Sequence, residues 1–329
     1  MYGLDLKKEA EQVSDKDWIL GAVSVKGIAE NIDFKTYLPA GEVQRTSKSD
    51  TMDCATRSPM NILETKLNYL VKNYAYKDCL SPENFQWLQD NGYIGEDGTV
   101  ELSDAFTAIL SGTTTRGNSL KAPLESMRKD GVIPKKLLPM ESWMSWYDYH
   151  KKSRITPLMK ELGKEFIKRF PINYEKVMKG DFFNVIKWDI LNVAGYAWTS
   201  PRNGIYPRTT QAPNHAFVYF EIPAYQIFDN YLDTDGDFIK HLASDYNLLH
   251  YAYRVIINEV VEFKKKDMTT EQLKNAYQEI LMREPDELSE EYLEFDEGFV
   301  RNELLRSEER DSIEKWVGFL RSVKLLKGK

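Results

Sequence analysis

A cysteine stands directly before an amphipathic run in the stretch SDTMDCATRSPMNILE, residues 49–64. A thiol attacks carbonyl carbons as its thiolate, which a helix N-terminus, a cationic neighbour and partial exposure to solvent all favour. The run after Cys54 predicts a helix, because Met60, Leu63 and Leu67 recur at helical spacing. We therefore take Cys54 as a candidate nucleophile that opens to a groove. The alternative is a buried small residue, the usual role of a lone cysteine.

Pro59 leaves two starts open for this helix. In a helix that begins at Cys54, Pro59 would lack one hydrogen bond and crowd the residue four positions before it, which would distort the first turn. Alternatively, Ser58 caps a helix whose first residue is Pro59. In that case the helix dipole acts on Cys54 less directly.

A base must come from one of four histidines. His150, His241 and His250 lie in helical or aromatic contexts, where packing explains them. His215 follows the polar loop TTQAPN and precedes the apolar run AFVYFEI, so we expect it at the mouth of a strand, positioned but not buried. An imidazole there can both accept and donate a proton near neutral pH.

A third group should orient this imidazole. If residues 215–221 and 224–231 form a hairpin, the returning strand offers Asp229 or Asn230. Side chains alternate along a strand, so an odd loop near EIP places Asp229 beside His215 and an even loop places Asn230 there. Both strands are apolar on both faces, so the sequence pattern permits both.

Helical patterns occupy about residues 54–150, and strand patterns about 175–255. In SPENFQWLQDNG, Ser81 is a cap and Pro82 takes the first helical position. FNVIKWDILNVAGYAW, AFVYFEI and AYQIFDNY are rich in β-branched and aromatic residues, as strands are. Helices followed by strands predict an α+β fold.

We predict three parts: an N-terminal arm (1–45), the α+β domain (46–255) and an acidic helical C-terminal extension (256–329). The extension includes EPDELSEEYLEFDE, with eight acidic residues in fourteen. Its charge is typical of a solvated face, and docking of a protein partner is the alternative.

Composition excludes several classes. The 329 residues carry a net charge of −7, which argues against nucleic acid as a partner. No apolar stretch approaches the length of a membrane span, and the N-terminus lacks the pattern of a signal peptide. We therefore expect the cytoplasm of the producing cell, or a particle assembled there. Two cysteines do not suggest a disulfide framework. We expect no cofactor and no metal, because DTDGDF lacks calcium-loop spacing and has Ser244 at the twelfth position from Asp233.

The order cysteine, histidine, asparagine or aspartate resembles the papain-like cysteine peptidases. DCATRSPMNILE is similar to the cysteine-bearing helix start of that family, and RGNSLKAPLESMRKDGVIPKKLLPME to the segment whose glycine-rich loop borders the cleft. NGIYPR before APNHAFVYF is similar to the entry to the histidine strand, and FDNY falls where the family has KNSW. The resemblance covers about residues 40–250. It implies a two-lobed fold, with Gly117 and Asn118 on the substrate side of the cleft.

Four segments, YLPAGEVQ, FQWLQDNGYI, LSGTTTRGNSL and FDNY, also resemble a divergent papain-like group encoded by tailed bacteriophages. The chain departs from the family where an oxyanion-hole glutamine usually stands six residues before the cysteine. That position is Lys48, and Gln44 is the candidate in its place. The family's CGSCW motif is absent. Only 53 residues precede Cys54, which is short for an inhibitory pro-segment.

The resemblance implies a peptidase acting on a peptide or protein substrate, with Cys54 as nucleophile, His215 as base and acid, Asp229 (or Asn230) as orienting group and Gln44 as oxyanion donor. One alternative is a weak or inactive papain-like fold that serves as a structural component of a phage particle, as a homo-oligomer or within a larger assembly. Another is an amidase with the same residues that acts on peptidoglycan.

Overall fold

The structure is a computed structural model that describes residues 3–12, 32–74, 80–221, 225–233 and 235–258. Cys79 lies outside these ranges, as does all but the first three residues of the predicted C-terminal extension. The role expected for that extension therefore stays a prediction.

The α-helices of the described residues lie mainly in the first half of the chain. They are α1 (Leu6–Gln12), α2 (Cys54–Lys72), α3 (Pro82–Asp90), α4 (Asp104–Leu110), α5 (Lys121–Asp130), α6 (Trp146–Tyr149), α7 (Pro157–Arg169) and α8 (Phe182–Val185). Helix α3 starts as its sequence predicts, because the Ser81 side chain accepts a hydrogen bond from the Asn84 N–H and Pro82 takes the first position. Gly131 ends α5 at a φ of +74°, a conformation that glycine adopts without strain.

The strands of the described residues form one seven-stranded sheet in the order β1-β7-β2-β4-β5-β6-β3. They are β1 (Ile172–Met178), β2 (Leu191–Gly195), β3 (Ile205–Tyr206), β4 (His215–Glu221), β5 (Gln226–Phe228), β6 (Ile239–Leu242) and β7 (Tyr251–Ile257). Every pairing is antiparallel except that of β3 with β6. This sheet confirms the α+β class.

Helix α2 lies between the other helices and the sheet. Of its residues, only Glu64 and Lys72 are not buried. It packs against β4, β2 and β7 on one side and against α4 and α5 on another. Because both α2 and β4 begin at a candidate catalytic residue, this packing decides whether the two meet.

Residues 182–185 differ from the sequence prediction, which placed strand character there. They form the short helix α8, whose Phe182 and Val185 are buried in a cluster with the sheet residues Val177, Leu191 and Ala252. Burial against the sheet outweighs the β propensity of the apolar run, which is a weak and context-dependent preference.

No helix in the described ranges combines the length and the apolar character needed to cross a bilayer.

Candidate active site

Helix α2 begins directly at Cys54. The main-chain N–H groups of Thr56 and Arg57 donate to the Asp53 carbonyl, at 2.7 and 2.9 Å. Pro59 lies inside the helix, where its missing N–H removes the bond that it would otherwise make to the Ala55 carbonyl. The positive end of the helix dipole therefore lies at Cys54 itself, the first of the two starts that the sequence permitted.

The residue before Cys54 is fixed by a buried set of hydrogen bonds. Asp53 Oδ1 accepts from Thr51 Oγ1 at 2.5 Å and from Arg57 Nε at 3.0 Å, and Asp53 Oδ2 accepts from Tyr149 OH at 2.6 Å. Burial opposes ionisation of Asp53, but Arg57 and these hydrogen bonds outweigh it and hold the pKa of Asp53 below its ordinary value. The chain is thus held in place just before the sulfur.

His215 is the first residue of β4, and Asp229 lies beside it. His215 Nε2 donates to Asp229 Oδ1 at 2.5 Å. The β4–β5 ladder pairs Val218 with Phe228, and this register puts the side chains of residues 215, 217 and 229 on one face of the sheet. Asn230 points elsewhere: its side chain donates to the Glu42 carbonyl at 3.0 Å. Of the two alternatives, the structure brings Asp229 to the imidazole.

The Cys54 side chain hydrogen-bonds the His215 ring. Since Nε2 bonds Asp229, the other ring nitrogen, Nδ1, faces the sulfur. Burial alone would lower the pKa of His215, but Asp229 and then Cys54 outweigh it and raise this pKa to about 10. The imidazole is therefore protonated at neutral pH.

Both groups are buried, contrary to expectation. Cys54 and His215 each have 0% of their surface exposed. His215 is enclosed because the Trp198 and Tyr231 rings flank it, with centroids at 5.7 and 5.2 Å from its own. Trp198 Nε1 also donates to Asp229 Oδ2 at 2.7 Å, so this indole packs on both members of the pair.

Cys54 is covered by residues 3–12, which we call the N-terminal segment. A Cβ added at Gly3 would lie 3.1 Å from Cys54 Sγ, so the main chain of Gly3 passes directly over the sulfur. The expectation of an open groove is therefore wrong for this arrangement of the chain. Its cause is a contact between positions 51 residues apart, which no local sequence pattern reveals.

The segment is held by main-chain hydrogen bonds to the cleft. Asn118 N–H donates to the Gly3 carbonyl and Asp5 N–H to the Asn118 carbonyl, both at 2.9 Å, as in a parallel β-bridge. Leu4 N–H donates to the Asn214 carbonyl at 3.2 Å. Gly117 has a φ of +100°, and any Cβ there would overlap the Gly3 carbonyl. Gly117 and Asn118, expected to line the substrate side, thus contact this segment.

Side chains anchor the rest of the segment. Leu4 is buried in the main core. Glu9 is buried in α1, where its carboxylate accepts from the Leu120 N–H at 2.5 Å and from Tyr251 OH at 2.8 Å. These contacts pack the first part of the predicted N-terminal arm onto the α+β domain.

Gln44, the expected oxyanion donor, is buried and engaged. Its Nε2 donates to Asp50 Oδ1 at 3.0 Å and to Tyr231 OH at 3.1 Å, which uses both amide hydrogens. Lys48, which holds the family's usual glutamine position, is exposed. To stabilise an oxyanion, Gln44 would have to release one of these bonds.

Sequence reasoning missed two residues of this site. Lys240 Nζ lies 3.0 Å from Asp229 Oδ2, and both side chains are fully buried. Trp198 contributes the indole described above. The only signal for Lys240 is a charged residue within a strand, and this does not identify its partner. In the acidic stretch that begins at Asp233, Asp233 Oδ1 accepts from the Asp235 and Asp237 N–H groups, both at 2.9 Å.

No protein-family model and no curated protein matches the sequence. Among solved structures, xylellain, a cysteine protease from Xylella fastidiosa, is 13% identical, with a TM-score of 0.44 over 76% of this chain and 100% of that chain. A cysteine protease of Carica candamarcensis is 14% identical, with a TM-score of 0.43 over 71% of this chain and 100% of that one. Digestive procathepsin L 3 of Tenebrio molitor larval midgut is 9% identical, with a TM-score of 0.41, and covers 73% of this chain and 74% of its own.

The described residues form an α+β fold of helices packed on one sheet, as the sequence pattern predicted. Its candidate site combines a cysteine at the start of a buried helix, a histidine at the start of an antiparallel strand, and a carboxylate just after the next strand behind the imidazole.

Proposed function

We propose that this protein is a papain-like cysteine peptidase that transfers the acyl group of a peptide or isopeptide to Cys54 and then to water. The observation that carries the proposal is the continuous hydrogen-bonded chain from the Cys54 sulfur through the His215 ring to Asp229. An oriented imidazole beside a thiol at a helix N-terminus is the arrangement that activates sulfur for nucleophilic attack.

In the first half of the reaction, the Cys54 thiolate attacks the carbonyl carbon and forms a tetrahedral intermediate. The Cys54 main-chain N–H is one donor to its oxyanion, and Gln44 is the second once it releases Asp50 or Tyr231. The His215 imidazolium donates its Nδ1 proton to the leaving amine as the C–N bond breaks. In the second half, neutral His215 takes a proton from water, the hydroxide attacks the thioester, and the sulfur leaves as thiolate.

The N-terminal segment supports a polypeptide as the ligand of this cleft. Its three hydrogen bonds at Gly3, Leu4 and Asp5 join main chain to main chain, through Asn118 and Asn214. Such contacts recognise an extended chain without regard to its side chains. We infer that a substrate reaches Cys54 only when Gly3 leaves the sulfur.

A second candidate function is a structural or interaction protein with an inert site, for instance in a phage particle, as the finer resemblance implies. The observations that favour it are the complete burial of Cys54 and the use of both Gln44 amide hydrogens within the chain. The two functions differ in whether Cys54 becomes reactive once the segment is displaced.

The test is iodoacetamide alkylation of the full chain at neutral pH, with Cys54 followed by peptide mass mapping so that Cys79 does not contribute. Leu4→Asp places a carboxylate in the apolar core and should displace the segment. We expect about 10-fold faster alkylation than in the wild type or in the matched control Lys7→Asp, whose site is exposed.

Adding His215→Ala to Leu4→Asp should slow the alkylation of Cys54 sharply. The Leu4→Asp variant should also hydrolyse an unstructured peptide, whereas the same variant with Cys54→Ala should not. A panel of peptide and peptidoglycan substrates then distinguishes a peptidase from an amidase. A displaced segment with Cys54 no more reactive than a free thiol would favour the inert interaction protein.

A further inference from the structure

Lys240 lies behind the imidazole rather than at the surface. Its ammonium group is fully buried, lies 3.0 Å from Asp229 Oδ2, donates to the Tyr231 carbonyl and faces the Trp198 ring at 5.5 Å. Buried lysines are rare and need a charged or hydrogen-bonding partner. Here the partner is the carboxylate that contacts His215.

Every acceptor site of Asp229 is used. Oδ1 accepts from His215 Nε2 at 2.5 Å and from the Asn230 N–H at 2.7 Å, whereas Oδ2 accepts from Trp198 Nε1 at 2.7 Å and from Lys240. The carboxylate therefore cannot rotate away from the imidazole without losing bonds on its other side.

The charges also balance. A thiolate, an imidazolium and an aspartate sum to −1, whereas a thiolate and an imidazolium beside a neutral amide sum to zero. Lys240 adds one positive charge and returns the buried group to zero. An unbalanced charge in this buried position would carry a large desolvation penalty.

We propose that Lys240 is a positioning residue of the sulfur–imidazole pair: it holds Asp229 Oδ2 and neutralises this carboxylate, so that Asp229 orients His215 as a neutral amide would. The inference rests on the proposed function for its catalytic meaning. It explains how an aspartate can occupy this position of the site without leaving a net charge in the core.

The titratable groups that face His215 are Cys54 from α2, Asp229 after β5 and the Tyr231 phenol that follows it, with Lys240 of β6 beyond the carboxylate. Removing Asp229 removes the main group that favours the imidazolium and leaves Lys240 as an opposing cation. The effect of Lys240 on the pKa of His215 should therefore be measurable both with Asp229 present and in the Asp229→Asn variant.

The experiment is an NMR titration of the His215 ring in the full chain, assigned by loss of its resonance in His215→Gln. The chain has four histidines, so the spectrum is simple. Asp229→Asn should lower the pKa of His215 by more than about one unit, and adding Lys240→Met should raise it again by about half a unit or more. Lys240→Met alone should raise it above that of the wild type.

Lys66→Met is the matched control. Lys66 is also buried, lies 2.6 Å from Asp189 and donates to the Val255 carbonyl, but it makes no contact with Asp229. This variant should leave the His215 titration unchanged. The double variant Asp229→Asn with Lys240→Met should melt at a higher temperature than either single variant, because each single change leaves one buried charge unpaired.

A His215 pKa that does not respond to Lys240→Met in either background would reduce Lys240 to a packing residue and overturn the proposal. If Lys240→Met does not fold alone, the comparison of Asp229→Asn with the double variant still decides. The titration requires no turnover, so an inert Cys54 would refute the proposed function without changing this result.

Discussion

Two clusters of charged side chains surround the Cys54–His215 pair. The helix-side network includes Asp53, the residue before Cys54, and the sheet-side group includes His215. In the helix-side network, Arg57 lies 3.0 Å from Asp53, 3.0 Å from Asp104 and 3.2 Å from Glu42. In the sheet-side group, Asp229 is paired with His215 and Lys240. Arg57 is surrounded by three carboxylates, of which Glu42 also pairs with Lys135, whereas two cations surround one carboxylate in the sheet-side group.

The pKa directions express this difference. Burial raises the pKa of Asp104 to about 7 despite Arg57, with Glu42 and Asp53 adding to the rise, whereas the pKa of Asp53 is lowered. On the sheet side, His215 and Lys240 overcome burial to lower the pKa of Asp229, and the pKa of His215 is raised to about 10. The helix-side network fixes a backbone position and keeps a carboxyl that titrates, while the sheet-side group holds Asp229 and His215 in their ionised forms.

The largest expected effect is a loss in the free energy of unfolding when the helix-side network is broken while the sheet-side group is left intact. Arg57→Met leaves Asp53 buried without its cation, and breaking a buried pair from one side costs about 3–5 kcal/mol. Urea unfolding should report that loss in the free energy of unfolding, while the NMR titration of His215 should stay as in the wild type.

Arg208→Met is the control for this change, because Arg208 and Asp245 are both mostly exposed and lie 3.9 Å apart. Exposed pairs contribute little, so its effect should be near the error of the measurement. Equal losses in the two variants would mean that the helix-side network does not hold the start of α2.

The second prediction concerns pH. In a Cys54→Ala background, the His215 pKa remains raised by Asp229, so the folded chain keeps a proton that the unfolded chain releases near pH 6.5. Stability from this proton is complete below pH 6.5 and is lost as pH rises toward the folded pKa. The free energy of unfolding should fall by about 1.4 kcal/mol per pH unit in that window, relative to Cys54→Ala with His215→Gln.

The Cys54→Ala background removes the titratable group that is coupled to His215, so that the proton on the imidazole is measured alone. Urea unfolding at pH 7, 8 and 9 measures the difference between the two variants. A difference that stays constant across these values would show that Asp229 does not hold His215 in its protonated form.

A local sequence signal predicted the start of α3, because a cap such as Ser81 acts within one turn, whereas it left two starts open for α2. The choice between Asp229 and Asn230 could not be made that way. The choice depends on the register between β4 and β5, because side chains alternate between the two faces of a sheet. Since both strands are apolar on both faces, their sequences do not show which residue lies on the same face as His215. The pairing of Val218 with Phe228 supplies it.

The cover over Cys54 and the partner of Asp229 had no local signal at all. Gly3 reaches the sulfur through main-chain bonds to Asn118, more than 100 positions away, and these bonds depend little on side-chain type. Lys240 meets Asp229 because β5 and β6 are neighbours in the sheet, and a sequence pattern predicts strands better than it predicts their partners.

The smallest expected effect lies within the helix-side network and tests its division of roles. Asp104 has a folded pKa of about 7, so at pH 4 it is protonated in the folded chain and about half protonated in the unfolded chain, and Asp104→Asn changes the charge of neither state by much. The free energy of unfolding at pH 4 should change by less than about 1 kcal/mol. Asp53→Asn, at a carboxylate whose pKa is lowered, should lower the free energy of unfolding several times more at the same pH.

From about pH 4 to 7 the folded wild type holds a proton that the unfolded chain lacks. Its stability therefore falls as pH rises, and Asp104→Asn should remove that fall. Equal losses from the two asparagine variants at pH 4 would mean that both carboxylates interact with Arg57 in the same way.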